Sequence, residues 1–365
     1  MTSRFPFAEI DTQVFAASYL SARRQWQEQA SAVPAAREHL TFTCPGEGPA
    51  GEALLTDALW LGEIHADNVL VVLAGTHGVE GLAGSAIQTD LMRLLAGHRL
   101  SLPAQTALLL VHALTPWGFA WLRRCDADGV DLNRNAVDFS VPLPDNPGYA
   151  ALRDVLMTAD AETRHRRLAE FSELHGRVAL EIAISGGQYQ DAAGPFYGGQ
   201  APAHGRRVCE SLIEQYGLSQ RRLAVVDLHT GLGPYGYGEI ICDHAPDSAG
   251  TAMARHWYGD AVTLPLAGTS FSVPKHGLLD YLWHEIMDER SCYVTLEFGT
   301  YSTDQLFEVL LRDHKLWAQF QNEDARLAHS LKMRQHFCPN DTGWQEMVLV
   351  RARQVIAQAL QGVSF

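Results

Sequence analysis

Four short apolar runs, rich in Val and Leu, are the strongest pattern along the chain. They do not alternate between apolar and polar positions, which is typical of strands whose two faces are both covered in a parallel sheet. The runs occupy residues 69–74, 107–114, 223–228 and 293–298. Segments with apolar residues at helical spacing accompany them, at about 83–96, 150–175, 202–217 and 303–333. This alternation predicts an α/β fold, with a mostly parallel or mixed central sheet flanked by helices on both faces.

Both ends of the chain add predicted elements to this core. Residues 10–30 have helical spacing, and residues 39–62 have the pattern of two β segments around a Gly/Pro turn. Near the C-terminus, Asp341 or Thr342 can cap an amphipathic helix. The expected apolar stripe of that helix consists of Trp344, Met347, Val348, Val355, Ile356 and Leu360.

A long segment, residues 135–200, lies between the second and third apolar runs and contains Gly- and Pro-rich pieces. We interpret it as an insertion that shapes a site rather than as a separate domain. We therefore expect one α/β domain spanning residues 1–365, with an N-terminal extension of helix and hairpin over about 1–65 and the insertion over about 135–200.

The charge balance limits the partners. Lys and Arg number 28 and Asp and Glu number 42, so the formal net charge is −14. Such a chain is a poor match for nucleic acid and for anionic membrane surfaces. No apolar run reaches the length of a membrane span, and the first residues lack the apolar core of a signal peptide, so we expect a cytoplasmic protein. The sequence leaves the oligomeric state open.

Polar residues that follow the apolar runs are the candidates for chemistry, because ligands bind at the carboxyl ends of parallel strands. His77 and Glu80 stand three apart in the Gly-rich segment 75–81, where a strand meets a helix. An imidazole nitrogen and a carboxylate oxygen suit zinc, and a catalytic zinc site takes three protein ligands and keeps one position open. His229, after the third run, is the obvious third ligand. The alternative is a Gly-rich turn with a capping Glu and an incidental His.

Charged and amide side chains cluster after the second run, in the stretch "VDLNRN" and just before it. Asp131 can accept the free N–H of a ligating His and fix its tautomer. Asn133 and Arg134 can together hydrogen-bond a carboxylate. Arg123 or Arg124 can reach a developing oxyanion. The alternative is a surface turn of Asp and Asn with solvated arginines.

The fourth run ends in "TLEFGT", which places Glu297 among β-type residues. A carboxylate in an apolar setting is costly unless it is paired or functional. Beside a metal-activated water, Glu297 could act first as general base and then as general acid. The alternative is a buried structural salt bridge.

Four motifs, "GTHGVEG", "VDLNRN", "DLHTG" and "LEFGT", follow one another in this order between about 75 and 300. Together they resemble the zinc metallocarboxypeptidase family, M14 in peptidase classification, and in particular its bacterial branch known as the DUF2817 group. The resemblance implies that His77, Glu80 and His229 ligate one Zn²⁺ and that Asp131 holds the second nitrogen of His77.

The same resemblance implies roles for the residues that meet the substrate. Asn133 and Arg134 would grip its terminal carboxylate, and Arg123 or Arg124 would polarise the scissile carbonyl. Glu297 would activate the water and pass a proton to the leaving amine.

The match is looser at residues 277–286, where the digestive carboxypeptidases place a mobile tyrosine that caps the substrate. By that match Trp283 stands at the tyrosine position, with Tyr281 two residues before it. Tyr281, Tyr235 and Tyr237 are the candidates for a replacement of the capping hydroxyl.

The residues favour zinc-dependent hydrolysis of an amide bond next to a free carboxylate, as in a carboxypeptidase acting on a peptide. A second hypothesis changes the substrate to an N-acyl amino acid, as in the succinylglutamate desuccinylase and aspartoacylase relatives; a small closed pocket would favour it, and an open groove would favour peptides. A third hypothesis is a non-catalytic binding protein on the same scaffold. The presence of Glu297 and of all three ligand residues weakens it.

Overall fold

One mixed sheet organises the molecule. The computed structural model describes residues 9–318 and 322–364. Within them the strands are β1 Ala36–Glu47, β2 Ala53–Leu61, β3 Asn68–Ala74, β4 Thr106–His112, β5 Arg222–Thr230, β6 Gly238–Ile241, β7 Val262–Thr263 and β8 Cys292–Phe298. Their order across the sheet is β1-β2-β4-β3-β5-β8-β6-β7. Strands β4, β3, β5 and β8 are parallel neighbours, whereas β1, β2 and β6 pair antiparallel with their neighbours towards the sheet centre. The four predicted strands are therefore the parallel centre of the sheet.

Helices surround this sheet, and several begin at a side chain that caps them. Ser18 and Asp160 each accept a backbone N–H at a helix start, which satisfies a donor that the helix itself cannot pair. In the described part of the chain the α-helices are α1 Tyr19–Ala32, α2 Gly81–Ala96, α3 Pro116–Ala120, α4 Pro147–Met157, α5 Ala161–His175, α6 Arg177–Ser185, α7 His204–Gln215, α8 Ala249–Tyr258, α9 Asp280–His284, α10 Thr303–Ala318, α11 Glu323–Phe337 and α12 Thr342–Val363. None of these helices combines the length and the apolar character that crossing a bilayer requires.

The central strands are buried on both faces, which explains their unbroken apolar sequences. Val72 and Val226 point to one face and pack in an apolar cluster with residues of α1, α2, α8 and α12. Val71 and Val225 point to the other face and pack with residues of α7 and α9. Since successive side chains of a strand alternate between faces, both sets must be apolar. The predicted fold class, an α/β sheet with helices on both faces, is confirmed.

Two segments predicted as single helices are each divided in the structure. In the segment 150–175, α4 ends at Met157 and α5 starts after Asp160, whose carboxylate accepts the N–H of Glu162. The second is divided between α10 and α11, and Asn322 caps α11 by accepting the N–H of Ala325. In both cases a capping Asp or Asn outweighs the apolar spacing that continues across it.

The segment 135–200 forms helices α4, α5 and α6. Leu152 of α4 and Ile184 of α6 share an apolar cluster with Leu310 of α10 and Met333 of α11. The segment thus packs against helices from the C-terminal part of the chain. The expected division into extension, core and insertion stays a prediction, and residues 1–8 of the extension lie outside the described residues.

Helix α12 begins after Asp341, whose carboxylate accepts the N–H of Trp344 at 2.7 Å. Of the two predicted caps, Asp341 is therefore the observed one. The expected stripe is buried against the sheet except for Met347, which is 42% exposed. The inclusion of Met347 in that stripe was wrong.

A buried carboxylate ties the N-terminal helix α1 to the hairpin of β1 and β2. Asp57 on β2 is fully buried and accepts hydrogen bonds from Arg23 of α1 at 2.6 and 3.0 Å. His39 and Thr41 on β1 contact the same carboxylate at 2.9 and 3.0 Å. Burial opposes the charge of this carboxylate, but the hydrogen bonds from His39 and Arg23 outweigh it and lower the pKa of Asp57 well below its usual value.

We expect Asp57→Asn to lower the free energy of unfolding by about 3 kcal/mol at pH 7, because removing one partner of a buried ion pair costs energy of that order. The folded pKa lies below the unfolded value of about 3.9, so the stabilisation is complete at neutral pH and is lost as the pH falls below about 4. Urea unfolding should therefore show a smaller gap between wild type and variant at pH 3 than at pH 7. Asp154→Asn, at a carboxylate that is 93% exposed, should leave the midpoint unchanged, and an equal loss in both variants would refute this account.

Candidate metal centre and active site

The Gly-rich turn after β3 brings two polar side chains into the interior. Gly75 adopts a φ of 70°, in the left-handed region that favours glycine. Gly78 lies so close to Gly118 that a Cβ there would stand 2.2 Å from the carbonyl carbon of Gly118. The turn can therefore pack tightly only with glycine at these positions. As a result, His77 and Glu80 are only 3% and 1% exposed.

His229 completes a cluster with this pair, although 152 residues separate it from His77. His77 Nδ1 lies 2.9 Å from Glu80 Oε1 and 3.0 Å from His229 Nδ1, and His229 Nδ1 lies 3.2 Å from Glu80 Oε2. One ligand atom from each residue falls within 4.8 Å of the other two. The sheet makes this possible, because β3 and β5 are parallel neighbours whose carboxyl ends coincide. The three residues are therefore placed where they could hold a metal ion.

Each imidazole has a carboxylate at its second nitrogen. His77 Nε2 lies 3.2 Å from Asp131 Oδ1, which is the arrangement expected for Asp131. His229 Nε2 lies 2.8 Å from Asp227 Oδ2, a partner that sequence reasoning missed. The signal was present in the sequence, since residues i and i+2 of a strand share a face. In both rings, therefore, Nδ1 is turned towards the centre of the cluster and Nε2 lies beside a carboxylate.

This donor set fits a divalent metal such as zinc. Two imidazole nitrogens and one carboxylate oxygen form a three-ligand set that leaves one coordination position open. Metal binding at Nδ1 leaves the proton of each ring on Nε2, where Asp131 and Asp227 can accept it. Asp131 and Asp227 thus select the ring tautomer that a metal at the centre of the cluster requires.

Arg124 lines the same cavity as the cluster. Its guanidinium donates to Asp131 Oδ2 at 2.9 Å and to Glu80 Oε1 at 3.3 Å. A third contact joins Arg124 Nη2 to His77 Nε2 at 2.6 Å. The positive charge of Arg124 therefore stands directly beside the candidate metal centre.

Arg123, the other candidate for the oxyanion contact, is turned away from the cluster. It donates to Asp313 Oδ2 at 2.7 Å, and its guanidinium carbon lies 4.6 Å from the centre of the Trp317 ring. The buried ion pair with Asp313 accounts for its orientation. Arg123 is not among the described residues that line the cavity, so the candidate role falls to Arg124 alone.

Asn133 and Arg134 both line the cavity. Arg134 donates from Nε and Nη2 to the carbonyl of Ser185 at 3.1 and 2.7 Å, and from Nη1 to the carbonyl of Asn133. Asn133 Oδ1 accepts the N–H of Leu279 at 2.8 Å, which leaves its NH₂ group as a donor. Burial lowers the pKa of Arg134 to about 10, so it remains charged at neutral pH. The two residues thus present fixed donors to an anion in the cavity.

Glu297 lies beside the cluster of His77, Glu80 and His229, on the neighbouring strand. The register of β5 and β8 pairs it with His229, so the two side chains leave the same face of the sheet. Its Oε1 accepts the N–H of Leu232 at 3.0 Å, and the side chain lines the cavity. Burial, together with the negative charge of Glu80, raises the pKa of Glu297 to about 8.

Residues 15–351 match one protein family, described as "Protein of unknown function (DUF2817)". The chain belongs to the DUF2817 family. The membership expected from the four sequence motifs is thus confirmed. No curated protein matches the chain.

Solved structures that are similar to this DUF2817 chain are distant from it. Bovine thrombin-activatable fibrinolysis inhibitor, in complex with tick carboxypeptidase inhibitor, is 10% identical with a TM-score of 0.43, over 91% of this chain and 100% of that chain. A metallo-carboxypeptidase from Pseudomonas aeruginosa, in complex with (2-guanidinoethylmercapto)succinic acid, is 12% identical with a TM-score of 0.40, over 92% and 68%. Succinylglutamate desuccinylase from Chromobacterium violaceum is 15% identical with a TM-score of 0.33, over 87% and 74%. At this distance, function must be inferred from the site itself.

Trp283 and Tyr281, the two residues predicted near a substrate cap, do not line the cavity. Trp283 is fully buried in the apolar cluster on one face of the sheet. Tyr281 donates its hydroxyl to the carbonyl of Lys275 at 3.0 Å, so it supports a loop of the cavity wall. Tyr235 and Tyr237 are 42% and 45% exposed. None of the four is among the described residues that line the cavity.

Sequence reasoning missed four charged residues that line the cavity of this DUF2817 protein: Glu181, Asp243, Lys275 and Asp280. Asp243 lies just after β6, so the rule that ligands bind at strand ends could have found it, but this strand has only four residues. Lys275 lies on an irregular loop before α9, where no periodic pattern indicates which way a side chain points.

Proposed function

We propose that this DUF2817 protein is a zinc-dependent hydrolase that cleaves an amide bond adjacent to a free carboxylate. The observation that carries the proposal is the convergence of His77, Glu80 and His229 on one buried point, with Glu297 in the same cavity. A zinc ion held by these three residues would polarise the substrate carbonyl and lower the pKa of a water molecule towards roughly 7.

Glu297 is the proposed proton carrier. Leu232 fixes Oε1 of its carboxylate, and Oε2 of the ionised form can take a proton from the attacking water. The same oxygen can then deliver that proton to the leaving amine. In amide hydrolysis the water loses a proton before the amine leaves with one, so Glu297 alone can serve both steps.

Arg124 is the proposed donor to the carbonyl oxygen as negative charge develops on it. Arg124 Nη2 and His77 Nε2 lie 2.6 Å apart, so they cannot both carry a hydrogen that points at the other atom. When His77 carries its proton there, Arg124 must give up that contact, and its guanidinium becomes available to the substrate. Asn133 and Arg134 supply donors for the free carboxylate.

The size of the cavity favours a small substrate. Glu181, Ser185 and Phe196 of the 135–200 segment form part of its wall and limit the space beside the candidate metal ligands. An N-acyl amino acid suits such a space better than an extended peptide does. Deacylation of N-acyl amino acids is therefore the form of the reaction that we favour, with cleavage of a C-terminal peptide bond as the second candidate.

A metal-supplemented screen tests the proposal. Purified protein is stripped with a chelator, reloaded with one equivalent of zinc, checked by elemental analysis, and offered N-acetyl amino acids and matched dipeptides. We expect one bound zinc per chain and release of the free amino acid in a zinc-dependent manner. Activity that survives chelation, or a reloaded protein that cleaves neither substrate class, would contradict the proposal.

Asp227 should control how tightly zinc is held. It accepts hydrogen bonds from Thr76 and Tyr293 at 2.8 Å each, besides contacting His229. In Asp227→Asn we expect a 10- to 100-fold loss of zinc affinity, since a neutral amide with one oxygen holds the ring N–H of His229 more weakly than a carboxylate does. Competition with a chromophoric chelator measures the affinity, and Asp67→Asn, at an exposed site, is the matched control. Unchanged affinity in Asp227→Asn would show that Asp227 does not support the ligand.

A further inference from the structure

One cation of the cavity has no anionic partner in the described structure. Lys275 is one of three lysines in the chain, with Lys315 and Lys332, and it alone lines the cavity. Its ammonium donates to the carbonyl of Val273 at 2.7 Å and to the hydroxyl of Ser272. Both partners are neutral, and none of the described carboxylates lies within ion-pair distance of this ammonium in the confined space of the cavity. Such a group favours binding of an anion.

The loop that carries Lys275 is held at both ends. Glu239 of β6 is fully buried and accepts hydrogen bonds from Ser270 Oγ at 2.9 Å and from the N–H of Phe271 at 3.2 Å. On the other side, Tyr281 donates its hydroxyl to the carbonyl of Lys275 at 3.0 Å. An ammonium on a fixed backbone loses little freedom when it binds a ligand. The loop therefore presents Lys275 in a preorganised position.

Lys275 lies on the same side of the cavity as the proposed carboxylate site. Gly277, two residues further along, packs so closely against the backbone of Arg134 that a Cβ at this glycine would stand 2.3 Å from the carbonyl oxygen of Arg134. Burial and the positive charge of Arg134 lower the pKa of Lys275 to about 8. A ligand whose first carboxylate meets Asn133 and Arg134 would thus have Lys275 beside the same end of the molecule.

Two acids of the cavity wall, Asp243 and Asp280, form no ion pair with Lys275 among the described contacts. Asp280 Oδ1 has no hydrogen-bond partner among the described residues. Burial raises the pKa of both carboxyl groups, and the charge of Lys275 opposes that shift. The ammonium of Lys275 therefore remains free to pair with a carboxylate of a ligand.

We propose that Lys275 determines specificity by binding a second carboxylate, carried by the side chain of the amino acid that is released. The preferred substrates would then be N-acyl derivatives of acidic amino acids. This inference rests on the proposed hydrolase function and adds the substrate class to it.

Two substrates of nearly equal shape test the assignment: N-acetyl-L-glutamate and N-acetyl-L-glutamine differ in one charge. For the zinc-loaded wild type we expect kcat/KM to be at least about 10-fold higher for the glutamate compound, because a hydrogen bond between charged groups discriminates to that extent. Lys275→Met should remove the preference by raising KM for that compound and should change kcat/KM for the glutamine compound little. Lys275→Arg should retain most of the preference, and Lys332→Met, at an exposed site, should retain all of it.

Binding provides a second measurement that does not depend on turnover. In zinc-loaded Glu297→Gln, calorimetry should show tighter binding of the glutamate compound, and adding Lys275→Met should abolish the difference. Equal binding of both compounds, binding of neither, or a preference that survives Lys275→Met would overturn the Lys275 assignment. Hydrolysis of both compounds at equal rates would overturn it too and leave the hydrolase proposal intact. Lys275-dependent binding without any hydrolysis by the wild type would support the assignment and overturn the hydrolase proposal.

The pH profile of the wild type gives a test that needs no variant. The ratio of kcat/KM for the two compounds should fall as the pH rises through about 8, because Lys275 then loses its proton. The charged groups that act on Lys275 are Arg134, Asp243, Glu297 and Arg124. Titration of Glu297 affects both substrates alike and cancels in the ratio. A ratio that stays flat from pH 6.5 to 9.5 would contradict the assignment (a range of about 1.5 units on either side of that pKa).

Discussion

Glu297→Gln is expected to bind zinc as the wild type does and to lower kcat on the order of 10³-fold. The glutamine side chain keeps the size of the carboxylate and can still accept the N–H of Leu232. It cannot take a proton from water and return it to the leaving amine. Elemental analysis measures zinc binding, and kcat on the best substrate from the screen measures the loss of proton transfer.

The control for this prediction is Glu173→Gln, which makes the same chemical change at an exposed helix position. It should leave both zinc content and kcat unchanged. A Glu297→Gln variant that keeps more than a small fraction of wild-type activity would remove Glu297 from the reaction. A variant that loses its zinc would instead make Glu297 a metal ligand, and the three-ligand centre would then be wrong.

His229→Ala is expected to abolish tight zinc binding, so that zinc content falls from one ion per chain to nearly none. His77 and Glu80 would remain, and a catalytic zinc site takes three protein ligands. The wild type should gain about 4 kcal/mol of stability when free zinc exceeds its dissociation constant about a thousandfold. Thermal unfolding with and without zinc should therefore show a large shift in the wild type and almost none in the variant.

His65→Ala, which removes an exposed imidazole, is the matched control and should show the wild-type zinc shift. Thermal unfolding in excess chelator compares the metal-free folds, so that a general loss of stability in His229→Ala can be recognised. Stoichiometric zinc in His229→Ala would place the metal elsewhere. Since His229 belongs to the proposed centre in both candidate reactions, that result would end both.

The sequence predicted the central strands well because their burial has a local signature. A strand covered on both faces needs apolar side chains at every position, and the four unbroken runs show this without reference to any partner strand. The helix breaks after Met157 and at Asn322 were missed, since a capping side chain competes with apolar spacing that continues beyond it. Strand β7 has only two residues, which is too short for any pattern to appear.

Within the site, the strand-end rule placed His77, Glu80, His229 and Glu297 together. It could not decide between Arg123 and Arg124, because the two are adjacent and lie outside a strand. Their directions are set by two different carboxylates: Arg123 pairs with one 190 residues later, whereas Arg124 bonds to one seven residues later.

The sequence by itself determined which segments are buried as strands and which polar residues stand at their ends. The tertiary structure alone decided the strand order, which brings β3, β5 and β8 side by side and closes the cluster of His77, Glu80 and His229. It also decided the directions of Arg123, Trp283 and Lys275. The physical reason is that periodicity along a chain encodes the face on which a side chain lies. The neighbour that the side chain meets across that face depends on packing between segments distant in sequence.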